Sequence, residues 1–337
     1  MPLNQVIGPI SSSILISIII KCIIESIACL CIIIINGLLI ASLLYIKRLR
    51  TTQNLLLINV SFACIFFSLS CILSISLTIY TIYSKSVNSY ICQLIGFTVI
   101  LSCHSLMFSY TLVAFVRFLT IICPFNKKFT TLKSIQIFLI LKWMLAFIVS
   151  SIILILPNKQ ITFQSKAKMC IINQQSPVLF SYFCTGYIIP FMLISLMNLI
   201  TFVNVIHSRQ ISYLSRTRLS HLNKRKRRNL CLLRQFSFFT IFFVFGWTPF
   251  IIIEIFDKQE KLSDIFYLFT LVLPSICVLI DSSAILKWNK TVHHQVQLWW
   301  RLLIKKTQIN KKERNDYTID QDSAFMGTIG DIGNLSI

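Results

Sequence analysis

The feature that most constrains this chain is an apolar run that begins at Cys92 and ends at Arg117. As a helix rising 1.5 Å per residue, the run would extend roughly 37 Å, slightly more than the hydrocarbon core of a bilayer. A cysteine suits the oxidising side of a membrane, and an arginine suits the anionic cytoplasmic side. The run therefore predicts a membrane-spanning helix whose ends face different compartments.

Composition extends this prediction to the whole chain. Of 337 residues, 55% are hydrophobic and only 13% are charged, which is too little polar surface for a soluble protein of this size. Six further apolar runs cover about 14–46, 54–83, 133–157, 178–206, 229–256 and 264–286. The sequence predicts an all-α membrane protein, a bundle of seven transmembrane helices.

The basic residues give this bundle a direction. Lys47, Arg48 and Arg50 follow the first run, and residues 207–228 end in KRKRR without any acidic residue. Because cytoplasmic loops carry the excess of lysine and arginine, the N-terminus is expected outside and the protein in the plasma membrane. We predict a short extracellular segment 1–13 with no cleavable signal peptide, a helical domain 14–306 that ends in an interfacial eighth helix, and a disordered cytoplasmic tail 307–337.

Charge placement excludes several classes of function. The net charge of +21 lies in short loops, which favours contact with anionic lipid at the inner face and argues against nucleic acid. No carboxylate occurs between Glu25 and Glu254, which disfavours a transporter or channel and acid-pair catalysis, although flux remains an alternative. No zinc spacing and no protease or hydrolase motif occurs, so we expect neither an enzyme, nor a metal, nor a cofactor.

Motifs on successive runs occur in a recognisable order. They are Asn36, the NLLLINVSFAC stretch from Asn54, Cys92, Arg117-Phe118, Pro124, Trp143, Pro190 and FVFGWTP ending at Pro249. With these in register, the chain resembles the rhodopsin-like (class A) G-protein-coupled receptors over about 14–305. The resemblance implies an extracellular ligand, a peptide or a small molecule, and a heterotrimeric G protein as partners.

The resemblance also implies roles for particular residues. Cys92 and Cys170 would form a disulfide across the outer face. The ligand would contact some of Val99, Cys103, Tyr187, Trp247, Phe250, Glu254 and Tyr267. Coupling and switching would involve Arg117, Phe118, Phe243, Trp247, Pro249 and Asp281. Val99 argues against monoamine ligands, and Ser275 excludes a retinal Schiff base.

Several positions depart from the family pattern. Cys64 replaces the aspartate of the second helix, Val116 replaces the acidic residue before the arginine, and Asn198 replaces a tyrosine of the fifth helix. The seventh-helix motif reads Asp281-Ser-Ser-Ala-Ile285. Without an acidic neighbour to restrain Arg117, we expect raised basal activity. A seven-helix scaffold that binds ligand without coupling is the alternative.

Three features carry a physical interpretation of their own. Pro249 would kink its helix, and Trp247 beside it would form the floor of an outward cavity. Glu254, Asp257, Glu260 and Asp264 could form an acidic rim that attracts a basic ligand, or could be a solvated loop face. His104 is expected to be a buried histidine bonded to a neighbouring helix, with ligand contact as the alternative.

Overall fold

The fold was determined as a computed structural model. It describes residues 5–6, 12–45, 51–84, 86–122, 131–156, 161–164, 166–213, 238, 240–257, 261–289, 292–298 and 301. Residues 1–288 form one compact unit, and residues 289–337 form a second unit. The basic segments 46–50, 123–130 and 214–237, the loop residues 258–260 and the predicted tail 307–337 lie outside the described residues.

Seven helices make up the described part of the first unit. They are α1 (Ser12–Tyr45), α2 (Thr52–Ser84), α3 (Ser89–Ile122), α4 (Leu132–Ile155), α5 (Val178–Phe183, Cys184–Ile188 and Ile189–Tyr213), α6 (Thr240–Phe256) and α7 (Asp264–Trp288). Six of them are long and apolar enough to cross a bilayer, and α6 is a shorter apolar helix over its described range. A helix at membrane depth satisfies its own backbone polar groups, which is why apolar runs of this length fold this way.

Burial separates a central helix from peripheral ones. α3 is the most buried span, whereas α4 and α5 expose most of their apolar residues. Large side chains such as Ile140, Phe147 and Leu199 are more than half exposed, as expected of surfaces that face lipid. The bundle is therefore organised around α3, the helix that the cysteine-to-arginine run predicts.

Polar side chains join the helices where apolar packing alone would allow them to slide. Asn36 Nδ2 in α1 donates to Ser282 Oγ in α7 at 2.9 Å. Asn59 of α2 donates to Ser109 Oγ of α3 at 3.1 Å and accepts from Trp143 Nε1 of α4 at 3.0 Å. Because lipid offers no competing partner, such bonds specify which faces of the helices meet.

α5 contains a local π-helical turn over Cys184–Ile188. The backbone N–H of Ile189 donates to the Cys184 carbonyl five residues back. Pro190 follows and has no N–H to donate to the carbonyl four residues before it, so the proline favours this wider turn. The turn bulges α5 toward α3.

Two small sheets cover the outer face. In one of them β1 (Gln5–Val6) pairs with β2 (Ser86–Val87), a contact that the apolar runs did not predict. The hairpin of β3 (Ile161–Gln164) and β4 (Met169–Ile172) is joined to α3 by the Cys92–Cys170 disulfide, with the two Cα atoms 5.4 Å apart, which confirms the predicted pairing. Gly96 permits this contact, since a Cβ there would lie 2.9 Å from the Cys170 carbonyl oxygen.

The second unit contains a helical segment over residues 292–298. At the first residue of this segment, the Val292 backbone N–H donates to Asn289 Oδ1 at 3.4 Å. Its position at the membrane interface, as an eighth helix, stays a prediction.

Candidate functional site

A cavity opens between the helices beneath the β3–β4 hairpin. Its empty volume is about 980 Å³, which includes open solvent at its mouth. Its wall is mostly apolar and rich in aromatic side chains: Phe67, Tyr182, Phe183, Tyr187, Trp247 and Phe250. A concave apolar wall with a few polar groups is the usual form of a small-molecule site.

The structure brings together most of the residues predicted to contact a ligand. Val99 and Cys103 of α3 and Tyr187 of α5 line the cavity. Trp247, Phe250 and Glu254 line it from α6. Tyr187 also donates to or accepts from Thr248 Oγ1 at 2.7 Å, which joins α5 to α6 at this level.

Tyr267 is the exception among the predicted contacts. Its side chain is 1% exposed and does not belong to the cavity wall. Its hydroxyl donates to Asp257 Oδ2 at 2.7 Å, and Gln174 Nε2 donates to the hydroxyl at 3.5 Å. Tyr267 therefore holds the turn that follows α6, and its predicted contact with a ligand stays a prediction.

Two carboxylates of the predicted acidic rim, Glu254 and Asp264, are bonded to other residues of the protein. Glu254 is fully buried, and Gln164 and Gln174 donate to its Oε2 at 3.1 and 3.2 Å. The Asp264 carboxylate pairs with Lys166 at 3.6 Å. Glu254 thus ties α6 to the outer hairpin and is not exposed at a rim. Attraction of a basic ligand by the other acidic residues stays a prediction, and Glu260 lies outside the described residues.

Asp257 is part of the same outer cover. Partial burial opposes ionisation, but hydrogen bonds from Tyr267 and from the backbone N–H groups of Leu262 and Lys261 outweigh it and lower the pKa of the carboxyl. These bonds measure 2.7, 3.0 and 2.8 Å. The carboxylate therefore closes the α6–α7 turn as an ionised acceptor.

Below the cavity, an aromatic stack continues into the bundle. The Trp247 ring stacks on Phe243 with centroids 5.5 Å apart, and Phe243 meets Tyr187 at 5.3 Å and Tyr110 at 6.4 Å. Pro249 lies within α6, two residues beyond Trp247. Trp247, the predicted floor of the cavity, is thus connected through the Phe243 ring to Tyr110 of α3.

The remaining predicted switch residues lie deeper in the bundle. Asp281 of α7 is 2% exposed, next to Ser282, the partner of Asn36. Arg117 and Phe118 are half-buried near the inner end of α3. None of these three predicted switch residues lines the cavity, and their role in coupling stays a prediction.

The family comparison agrees with this architecture. A model of the 7 transmembrane receptor (rhodopsin family) matches residues 35–281, about 73% of the chain by length. The chain belongs to this family. No curated protein matches the sequence at a significant level.

Two residues that line the cavity of this receptor were not predicted from the sequence to do so. Lys21 and Glu25 of α1 line the cavity as an ion pair with Nζ and Oε2 3.1 Å apart. Their four-residue spacing placed them on one helix face, but hydropathy could not show that this face turns inward. Lys142 of α4 does not line the cavity; it is 6% exposed, with its Nζ 3.5 Å from the Trp143 ring centroid.

His104 combines the two interpretations considered from sequence. Its Nδ1 lies 2.7 Å from Ser150 Oγ of α4, so it is bonded to a neighbouring helix as expected. Its ring also lines the cavity and meets Tyr182 edge-on at 5.1 Å. The histidine is therefore a structural group that forms part of the cavity wall.

Proposed function

We propose that this receptor transmits the binding of an extracellular ligand to a heterotrimeric G protein. The cavity with Trp247 at its base is the observation that supports the proposal most directly. Its wall includes residues of the disulfide-linked hairpin, and Trp247 at its base contacts the aromatic stack of Phe243 and Tyr110. A ligand that packs differently against Trp247 in two states would shift the population between them.

The output would come from the inner end of the bundle. In the proposed active state, α6 pivots near Pro249 and uncovers Arg117 and Phe118 to the G protein. The helix can bend there because a proline removes one backbone hydrogen bond. The N-terminus would be extracellular, the receptor would sit in the plasma membrane, and anionic lipid would bind the basic inner loops.

The alternative is a scaffold that binds ligand without coupling. Val116, which is 4% exposed, takes the place of the carboxylate that restrains the arginine in the family pattern. Asn198 Nδ2 donates to Thr240 Oγ1 at 3.2 Å and links α5 to α6 in the inner half. This bond would have to break or move if α6 swings outward.

Basal nucleotide exchange on G proteins distinguishes the two proposals. We expect membranes that contain the receptor to exchange nucleotide faster than empty membranes, and Arg117→Ala to abolish the difference. Arg117→Lys keeps the charge but loses the planar guanidinium, and is expected to retain a fraction of the activity. A folded surface-expressed receptor with no exchange over a G-protein panel, and no response to Asn198→Ala, would favour the scaffold.

A further inference from the structure

The α1 wall of the cavity contains an unusual group for a membrane interior. Lys21 and Glu25 have side chains only 5% and 9% exposed, and both line the cavity together with Cys71 and Ser74 of α2. Taking two charges out of water is costly, and ionisable side chains at membrane depth mark functional sites by default. Helix packing alone gives no reason for this pair.

The ion pair leaves acceptor capacity on the glutamate. Lys21 Nζ pairs with Glu25 Oε2 at 3.1 Å, and no other residue that the structure describes donates a hydrogen bond to this buried oxygen. A carboxylate has about four acceptor sites, and leaving a buried one unmet is unfavourable. Glu25 is among the residues that line the cavity, so a ligand there can approach its carboxylate.

The charged and aromatic side chains of the cavity wall favour a positively charged ligand. Among the described residues lining the cavity, one lysine faces two glutamates, which leaves a negative charge when histidine is counted as neutral. Six aromatic rings share the same wall, and aromatic faces attract organic cations. An anionic ligand would be repelled by both carboxylates. The one ammonium group that could attract it, that of Lys21, is already paired with Glu25.

Glu254 is the less suitable of the two carboxylates. It is fully buried, and two amide donors of the outer hairpin segment already bond its Oε2. Glu25 has no such tether to the hairpin in the described structure, and it lies across the cavity on α1. The ligand's cation would therefore meet α1 rather than α6.

We infer that the cavity binds a hydrophobic organic cation whose ammonium group hydrogen-bonds to Glu25, beside Lys21, while its apolar body packs on the aromatic wall. This assignment names the ligand class for the receptor proposed above and rests on that proposal for its physiological meaning. It places the amine contact on α1, and Val99 leaves α3 without a carboxylate for that role.

Three probes with one hydrophobic body test the sign of the charge. They are 2-(2-naphthyl)ethylammonium, 2-naphthylacetate and 2-(2-naphthyl)ethanol, added to the full chain in phosphatidylcholine nanodiscs. We expect the ammonium probe alone to raise Tm in a saturable way. The assignment is overturned if the carboxylate or the alcohol gives an equal or larger rise, or if none of the three raises Tm at millimolar concentration.

Variants locate the contact. Glu25→Gln keeps the shape and is expected to weaken ammonium binding at least tenfold, whereas Asp264→Asn, a control that removes a carboxylate outside the cavity wall, should weaken it less than threefold. Lys21→Met removes the competing ammonium and is expected to tighten binding. If Glu25→Gln does not fold, the neutral Lys21→Gln/Glu25→Gln pair replaces it, with the same loss expected. Unchanged binding in the Glu25 variants, or a larger loss in Asp264→Asn, overturns the assignment.

Binding of the ammonium probe and coupling to the G protein are measured in separate experiments. Ammonium binding with no Arg117-dependent nucleotide exchange would contradict the proposed function and leave this site standing. Exchange that depends on Arg117, with no ammonium binding, would contradict the site and leave the proposed function standing.

Discussion

Single side chains decide how closely the helices of this receptor approach. Gly186 in the π-helical turn of α5 lies directly against the His104 ring of α3. The ring has little room to yield, since it bonds Ser150 and stacks on Phe108 with centroids 5.9 Å apart. The glycine is needed here for close approach rather than for an unusual backbone angle.

Replacing this glycine by alanine should destabilise the receptor. A Cβ at residue 186 would lie 2.5 Å from His104 Nε2 and 2.7 Å from its Cδ2. We expect Gly186→Ala to cost about 1–3 kcal/mol through overpacking and to lower Tm in nanodiscs. Gly37→Ala is the control, because nothing lies within 4 Å of its added Cβ. A Tm for Gly186→Ala at or above that of the control would contradict the packing described.

The Asp257 carboxylate gives the outer turn a defined response to acid. Its folded pKa lies below the usual value, so its contribution to stability is fully present above the unfolded pKa of about 3.9 and is lost as pH falls through the folded pKa. We expect hydrogen exchange at the Lys261 and Leu262 amides, corrected for intrinsic rate, to show constant protection from pH 8 to 5. Asp257→Asn should reduce protection throughout this range; a wild-type loss of protection near pH 6 would contradict the assignment.

At the scale of elements, a few hydrogen bonds select the faces through which apolar helices pack. Leu and Ile side chains have a similar free energy in lipid and against another helix, so hydrophobicity alone does not fix the rotation of a helix about its axis. Asn59 supplies that information for three helices at once, since it meets Ser109 of α3 and Trp143 of α4. α4 needs this contact most, because it is among the least buried spans.

A double-mutant cycle measures this contact. Asn59→Ala and Trp143→Phe each remove the 3.0 Å bond between the two side chains, and the double variant removes both partners. We expect a coupling free energy of unfolding of about 0.5–1.5 kcal/mol, within the range for interhelical hydrogen bonds in membranes. The pair Asn36→Ala and Trp143→Phe, which shares no hydrogen bond, is the control and should be additive. Coupling no larger than in the control would show that the bond contributes nothing specific.

At the scale of the whole molecule, charge and disulfide chemistry both point to one orientation. The Cys92–Cys170 bond belongs on an oxidising side, and the hairpin it holds covers the cavity. The basic segments 46–50 and 214–237 follow α1 and α5 in the sequence, and cytoplasmic loops carry the excess of basic residues. In the proposed orientation the cavity would therefore face outward and the basic segments inward.

Glycosylation reports this orientation. A sequon tag fused before residue 1 is expected to be glycosylated in mammalian cells, and the same tag fused after residue 337 is expected to stay unmodified. The natural sequons at Asn59, Asn289 and Asn334 should carry no glycan; Asn59 is 7% exposed within α2. Modification of the C-terminal tag alone would reverse the proposed topology.

The sequence by itself determined the spans, the family and the disulfide. Hydropathy is a property of a continuous stretch, so the apolar runs predicted most helix bounds to within a few residues. The exceptions are the end of α5, which continues to Tyr213 rather than 206, and α6, which is described only from Thr240. The order of motifs along the chain identified the family, whose model matches residues 35–281.

Only the tertiary structure decided which polar side chains face the cavity. Helix rotation and the path of the outer hairpin depend on contacts between residues far apart in sequence, such as Gln164 with Glu254. These contacts left Tyr267 outside the cavity wall, enclosed Glu254, and brought Lys21 and Glu25 into the wall. Because lipid-facing and cavity-facing residues are equally apolar in this chain, its local pattern could not distinguish the two faces.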